Sequence, residues 1–263
     1  MIEKILHRKE FKALTEYSTS IGLKILITGG NGSIGQSLKA RLPNAIVTDV
    51  NDLDITNEDR VSFVLNWHQP DVIINMAGAK HAPQGEVNVE ETLNINTLGV
   101  INLIKHKGNA KIIQCSTCKS ANPEIVYGAT KLISERLVLN SGGVVARFFN
   151  VIETSGNVFE IWKDKDVIDV AINCNRHFIS LQEATGLLLR CITLKGGRYL
   201  VNSPKLINMM DIANTCYPNK TKHIIKQRRG DRLDEKFLAT NETIEQYLFE
   251  DSVIKVVSSH DAQ

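Results

Sequence analysis

Along the first 150 residues, short unbroken apolar runs alternate with longer stretches in which apolar positions recur every three or four residues. The runs LKILITGG (23–30), NAIVTD (44–49), DVIINMAG (71–78), AKIIQCST (110–117) and GGVVARFFNV (142–151) are rich in Ile and Val and are bounded by turn-forming residues, which predicts strands. Between them SIGQSLKARL (33–42), NEDRVSFVLNWH (57–68), VEETLNINTLGVINLIKH (89–106) and YGATKLISERLVLN (127–140) carry helical spacing. Strands alternating with helices of this length pair in parallel through right-handed crossovers. The predicted fold class is α/β, built on a doubly wound parallel sheet.

The pattern loosens after about residue 152. A helix LQEATGLLLRCI (181–192), a strand GRYLVN (197–202), a helix NMMDIANTC (208–216), a basic segment HIIKQRRGDRLDEKF (223–237) and a strand SVIKVV (252–257) follow. Residues 153–263 are expected to form a small lobe over the carboxyl ends of the strands of a 23–152 domain, the side on which such sheets bind ligands. At the other end, Ile2, Ile5, Leu6, Phe11, Leu14 and Tyr17 lie close to helical spacing before Ser18-Thr19-Ser20 and Gly22. Residues 1–22 are read as an amphipathic helix on the domain's flank and a linker, outside the main fold.

Composition narrows the classes. A net charge of +2, spread over 31 basic and 29 acidic residues, gives no strong field, so nucleic acid is not an expected partner. No apolar run approaches the roughly 18 residues of a membrane span, and the first residues lack a signal peptide's apolar core, so a soluble cytoplasmic chain is expected. Five cysteines, an odd number at irregular spacing, do not make a disulfide framework. Cys115 and Cys118 lack a second pair at zinc-finger spacing, so no metal site is expected.

Chemistry first shows in TGGNGSIG (28–35), where Gly29, Gly32 and Gly35 lie between a strand and a helix. Glycines there permit a tight turn and a close backbone approach, and the helix N-terminus offers free N–H groups to a pyrophosphate. That context predicts a dinucleotide site in which Asn31, Ser33 and Ile34 take part with the three glycines. Asp49 follows the second strand, where a carboxylate meets a ribose 2′-hydroxyl and repels a 2′-phosphate, favouring NAD over NADP. Asn51 and Asp52 compete for that place, and Asp54 and Ile55 are candidates to flank the adenine.

The motifs TGGNGSIG, PDVIINMAGAKHAPQGEVNVEETLNINTLGV, CSTCKSANPEIVYGATKLISERL, ARFFNV, RHFISLQEATGLLL and GDRLDEKF together resemble the extended short-chain dehydrogenase/reductases. The resemblance, over about residues 23–240, is to their polysaccharide-biosynthesis branch, which holds UDP-N-acetylglucosamine 4,6-dehydratases and related nucleotide-sugar epimerases. It implies a Rossmann-type NAD(P)-binding domain at 23–152, a substrate-binding lobe at 153–263, a UDP-linked sugar as substrate and a homodimer. Helices 87–106 and 127–140 would pair the subunits, with Leu93, Leu98, Ile101 and Ile104 as an apolar stripe, unless that stripe faces the parent sheet. It also implies cofactor contacts at Ala77, Gly78, Ala79 and Asn96, and substrate contacts at Lys80, His81 and Asn150. Arg176, Arg228, Arg229 and Arg232 suit a diphosphate; Arg232 is the best motif match, and the other three are equally read as solvated charges. Asn96 is equally readable as a cap or core polar residue.

Tyr127 and Lys131 stand four apart and share a helix face. A phenol of pKa near 10 must fall by about three units to be half ionised at neutral pH, and a nearby ammonium and a cationic nicotinamide push that way. Tyr127 would take the proton from a sugar 4-hydroxyl, with Thr117 hydrogen-bonded to the same oxygen. In the resembling dehydratases Lys119 matches the base at carbon 5 and an aspartic acid follows the threonine; here Cys118 stands in its place. A thiol general acid and an inert space-filling residue are both open for Cys118. Elimination of water follows from the first; a 4-epimerase needs only Thr117, Tyr127 and Lys131. A non-catalytic nucleotide sensor is a third reading, against which both Tyr127 and Lys131 weigh.

Overall fold

A computed structural model describes residues 2–19, 22–203, 205–226 and 233–261. Its centre is an eight-stranded sheet of β1 (Ile25–Thr28), β2 (Ile46–Val47), β3 (Val72–Asn75), β4 (Lys111–Thr117), β5 (Val144–Phe148), β6 (Gly197–Val201), β7 (Glu242–Leu248) and β8 (Val253–Ser258), ordered β7-β8-β6-β5-β4-β3-β1-β2. The six strands from β2 to β6 run parallel, and β8 and β7 close the far edge antiparallel. Strand order reverses between β1 and β3, so the turns after these strands diverge and leave a crevice.

β1, β3 and β5 are buried at every residue, as strands covered on both faces must be. Ile25, Ile27, Ile74 and Ile113 point to one face, where they meet Leu38 of helix Ser33–Arg41 and Leu187 to Leu189 of helix Leu181–Cys191. Leu26, Ile73, Ile112 and Val145 point to the other, against Val61 and Leu65 of helix Glu58–His68 and Val100 and Leu103 of helix Gly99–His106. Parallel pairing and helix-covered faces thus follow from the predicted alternation.

Two regions differ from expectation. Residues 2–17 form two short helices, Ile2–Leu6 and Lys12–Thr15, and are part of the packed body: Leu14 lies in the main core, while Ile5 and Leu6 enter the lobe's separate core with Trp162 and Phe178. Arg8 pairs with buried Glu183 at 2.5 Å, and Arg190 donates to the Ala13 carbonyl at 2.8 Å. Beyond residue 152, β6, β7 and β8 join the central sheet, so the sheet crosses the boundary expected there. Apart from helix Leu181–Cys191 on the sheet face, the rest of that half forms helices Val158–Lys163 and Met209–Cys216 and small pairings, such as Val167–Val170 with Thr221–Ile224, around a separate core.

Among the described residues no helix is long and apolar enough to cross a membrane, and all five cysteines are free thiols.

Candidate active site

The glycine turn sits at the mouth of the crevice. Gly29 has φ +66°, and a Cβ there would stand 2.6 Å from the Ala77 backbone nitrogen, so the turn after β1 can approach the end of β3 only with glycine. A Cβ on Gly32 would meet nothing nearer than 3.6 Å; this side of the turn is open. Gly32 caps helix Ser33–Arg41 without a side-chain bond, leaving the first-turn N–H groups at Ser33, Ile34 and Gly35 toward the crevice. A groove of about 1230 Å³ runs from Gly29 and Gly32 past Asp49, Asp54, Ile55 and Ala77 to Lys80. Asp49 accepts from the Asn31 backbone N–H at 2.8 Å, which fixes its carboxylate beside the turn. These residues fit a dinucleotide: bare backbone for a pyrophosphate, a carboxylate for a ribose and an apolar wall at Leu53 and Ile55 for a base.

Past the turn, a cavity of about 240 Å³ is lined by Gly32 to Gly35, Gly78, Thr117, Tyr127 and Lys131. It adjoins a second of about 220 Å³, lined by Lys80, His81, Thr117, Lys119, Tyr127 and Asn150. A third, also about 220 Å³, continues through Asn150 and Asn157 to Arg176 and Trp162 in the lobe. Apart from Asn31 and Asn96, which are absent from these linings, the described residues expected to meet cofactor and substrate line one chain of cavities, with Thr117 and Tyr127 at the junction. Arg232, with Arg228 and Arg229, lies outside the described residues.

Helix Val126–Asn140 carries Tyr127 and Lys131. Burial pushes the Tyr127 phenol up, against the pull of Lys119 and a Thr117 hydrogen bond. Lys131 donates to the Cys115 carbonyl at 3.1 Å, and burial lowers its pKa. A Cβ on Gly78 would sit 2.9 Å from Lys131 Nζ and 3.0 Å from Asn96 Oδ1, so glycine lets both approach the chain there. Asn96 lies on a π-helical turn, Asn94–Leu98, that interrupts the single helix expected over 89–106. Its side chain accepts from Ala79 N at 2.9 Å and donates to the Ala79 carbonyl and Thr130 Oγ1, each at 3.1 Å. Asn96 thus pins the backbone that borders the groove; such turns recur at functional sites.

Cys118, Lys119 and Ser120 form a single 3₁₀ turn after β4. The Cys118 thiol is 1 % exposed, packs in the apolar core and is absent from the described cavity linings. Burial, with Glu235 nearby, pushes it up to about 12, so it stays protonated at neutral pH. Lys119 reaches the cavity with its Nζ 2.7 Å from Glu235 Oε1. Burial opposes its charge, but Glu235 more than compensates and holds the pKa above the usual lysine value.

Several residues that position this turn escaped the sequence reading. Ser116 and Ser120, on either side of Thr117 to Lys119, both donate to Glu135 Oε1 at 2.5 Å. Glu135 pairs with Arg147 at 2.6 Å and Arg198 at 2.9 Å, and Arg147 pairs on with Glu242 at 2.7 Å. Burial works against the Glu135 charge, yet the arginines and Ser116 bring its carboxyl down to about 2. Glu235, the partner of Lys119, escaped as well. One signal was legible: Arg147 is a lone charge inside an otherwise apolar strand.

A family model described as polysaccharide biosynthesis protein matches residues 45–256. The chain belongs to that family. A curated relative from Campylobacter jejuni subsp. jejuni serotype O:23/36 (strain 81-176), named UDP-N-acetylglucosamine 4,6-dehydratase (inverting), is 27% identical over 87% of this chain and 81% of its own length. Among solved structures, a dTDP-4-dehydrorhamnose reductase from Bacillus anthracis str. Ames in complex with NADP superposes with a TM-score of 0.75 at 20% identity, covering 83% of this chain and 91% of that one. A UDP-glucose 4-epimerase from Thermus thermophilus in complex with NAD gives 0.71 at 18% identity, covering 82% and 90%. These two likenesses bear out the Rossmann-type fold expected for this family member.

Proposed function

We propose that the protein is a nicotinamide-dinucleotide-dependent enzyme that oxidises carbon 4 of a UDP-linked sugar, such as UDP-N-acetylglucosamine, and then eliminates water across carbons 5 and 6. The observation that carries this reading is the convergence of Thr117, Lys119 and Tyr127 on one cavity that opens onto the glycine turn. The dehydratase name of the Campylobacter jejuni relative supports it. The dinucleotide supplies the hydride acceptor. Thr117 and Tyr127 would hold the sugar 4-oxygen between them, and Tyr127 would take its proton; Lys119 and the Thr117 hydrogen bond favour the charged phenolate, whereas burial holds the phenol up, the reverse of the lowering expected from the Tyr127–Lys131 spacing. His81, Asn150 and Arg176 line the path expected for the hexose and diphosphate. Asp49 favours NAD, and the cytosol is the compartment we assign.

Burial of Cys118 favours a second reading, a 4-epimerase that never eliminates. Incubating the purified protein with a panel of UDP-sugars and weighing the products separates the two: the dehydratase reading expects a loss of one water, and unchanged mass with an inverted carbon 4 overturns it.

A homodimer is part of the proposal. Leu93, Leu98 and Ile101 are 40–43% exposed on the outer face of the expected pairing helices, while Ile104 packs partly against the parent core. Light scattering at micromolar concentration should read a two-chain mass; a one-chain mass overturns it.

A further inference from the structure

The structure brings to the catalytic turn a carboxylate that position 118 does not supply. Glu235 lies 116 residues beyond Lys119, is 3 % exposed, and presents Oε1 at 2.7 Å from Lys119 Nζ. Its other oxygen accepts from Asn150 Nδ2 at 2.6 Å and from the His177 backbone N–H at 3.4 Å, and Arg176 Nε lies 3.5 Å from Oε1. Burial alone would favour the neutral acid, but Lys119 and Arg176 bring Glu235 below the usual carboxyl value. The titratable neighbours on the Lys119 side are the Cys118 thiol and the Tyr127 phenol. The resting pair is an ammonium and a carboxylate, and only the ammonium reaches the cavity.

We propose that Glu235 is a positioning residue and proton store for Lys119, so that the Lys119–Glu235 pair, and not Cys118, moves the proton of the elimination. This rests on the dehydratase reading above. A proton passes from Lys119 Nζ across the 2.7 Å contact to Glu235, uphill from the resting ion pair and so part of the barrier, and leaves a neutral amine. That amine removes the proton from carbon 5 of the 4-keto sugar, and the C–H electron pair moves into the carbonyl as an enolate. The regenerated ammonium gives the proton to the 6-hydroxyl, which departs as water with the C6–O pair while the C5–C6 double bond forms and the carbonyl returns. Glu235 then gives its stored proton back, and the pair ends as it began. One amine serving both carbons removes the need for an acid at position 118.

The test uses the full chain with its nicotinamide cofactor and UDP-N-acetylglucosamine, with three readouts. These are water loss by mass, carbon 4 oxidation by nicotinamide absorbance in a single turnover, and Lys119 titration by pH-dependent acetylation with peptide mass mapping. In Glu235→Gln the ratio of water loss to oxidation should fall by about 10²–10⁴-fold, the usual reach of acid–base catalysis, at pH values where Lys119 is still charged and has no store for its proton, and should return at pH values above the Lys119 transition. Lys119 should become acetylatable at lower pH, because its buried ammonium loses its counter-charge. E235D should regain part of the ratio, and serves as the folded comparison if the amide variant is unstable. A Glu235→Gln enzyme with wild-type ratio and wild-type Lys119 titration overturns the role of Glu235. Oxidation and water loss that fall together, alongside a lower melting temperature, reduce Glu235 to a structural residue and also overturn it. A wild type that oxidises carbon 4 without losing water overturns the dehydratase reading instead, and the Lys119 titration still reports whether the pair exists.

Discussion

The two sides of the cleft are built by opposite means. The proposed cofactor side is made of backbone: Gly29 supplies a left-handed turn, Gly32 an open face, and the helix its uncapped N–H groups, all within eight residues of chain. The proposed substrate side is backed by buried charge, in which Lys119, Glu135, Arg147, Arg198, Glu235 and Glu242 are drawn from a stretch of chain more than 100 residues long. A surface built from backbone depends on local conformation, whereas one built from buried ions depends on every partner arriving, because a buried charge without its partner is costly.

The sharpest break falls at the junction of the two sides. Tyr127→Phe removes one hydroxyl where both cavities meet and should lower turnover by about 10²–10⁴-fold, with a melting temperature close to that of the wild type; product mass per unit time and calorimetry read the two. Near-normal turnover would take Tyr127 out of the chemistry.

Glu135→Gln attacks the charged side. It leaves Arg147 and Arg198 short of a counter-ion and should cost about 3–5 kcal/mol, or a melting temperature lower by about 10 °C. The pH dependence has a defined sign. The folded carboxyl sits at about 2 against an ordinary 4.5, so its stabilisation is complete above about 4.5 and fades as pH falls toward 2. Between those limits the wild type should lose stability more steeply than the variant; parallel curves would mean that Glu135 is not the group titrating.

On the backbone side, a matched pair separates folding from binding. Gly29→Ala forces a side chain into a φ of +66° and against Ala77, and should destabilise by about 1–3 kcal/mol. Gly32→Ala has room in the protein and a φ of −68°, so it should fold normally yet bind NAD about tenfold more weakly by calorimetric titration, its methyl standing where a pyrophosphate would approach. Equal affinity in Gly32→Ala would place the pyrophosphate elsewhere.

Cys118→Ala should do least. A buried thiol outside the described cavity linings predicts turnover within about threefold of the wild type and a stability loss of about 1 kcal/mol; a fall of 100-fold or more would reinstate the thiol as an acid.

The alternation of β-rich runs and helices determined the parallel sheet, because burial on two faces demands continuous apolar strands and crossover helices return each strand in the same direction. The glycine turn and the Tyr127–Lys131 pair were legible for a related reason: the roles proposed for them rest on spacings of a few residues, which backbone geometry alone turns into proximity. Other features stayed hidden. The N-terminal segment looked separable because its apolar residues say nothing about which core receives them, and Leu14 and Ile5 enter different ones. β7 was missed because, at the sheet edge, it exposes much of its length and lacks the apolar run that marks the inner strands. Position 118 was noticed as a missing acid, but whether its thiol faced the cavity or the core depended on a 3₁₀ turn held from beneath by Glu135. Tertiary structure alone decided that, and it alone brought Glu235 to Lys119, since a carboxylate 116 residues away becomes a partner only when folding removes both from water and leaves each the other's strongest source of charge stabilisation.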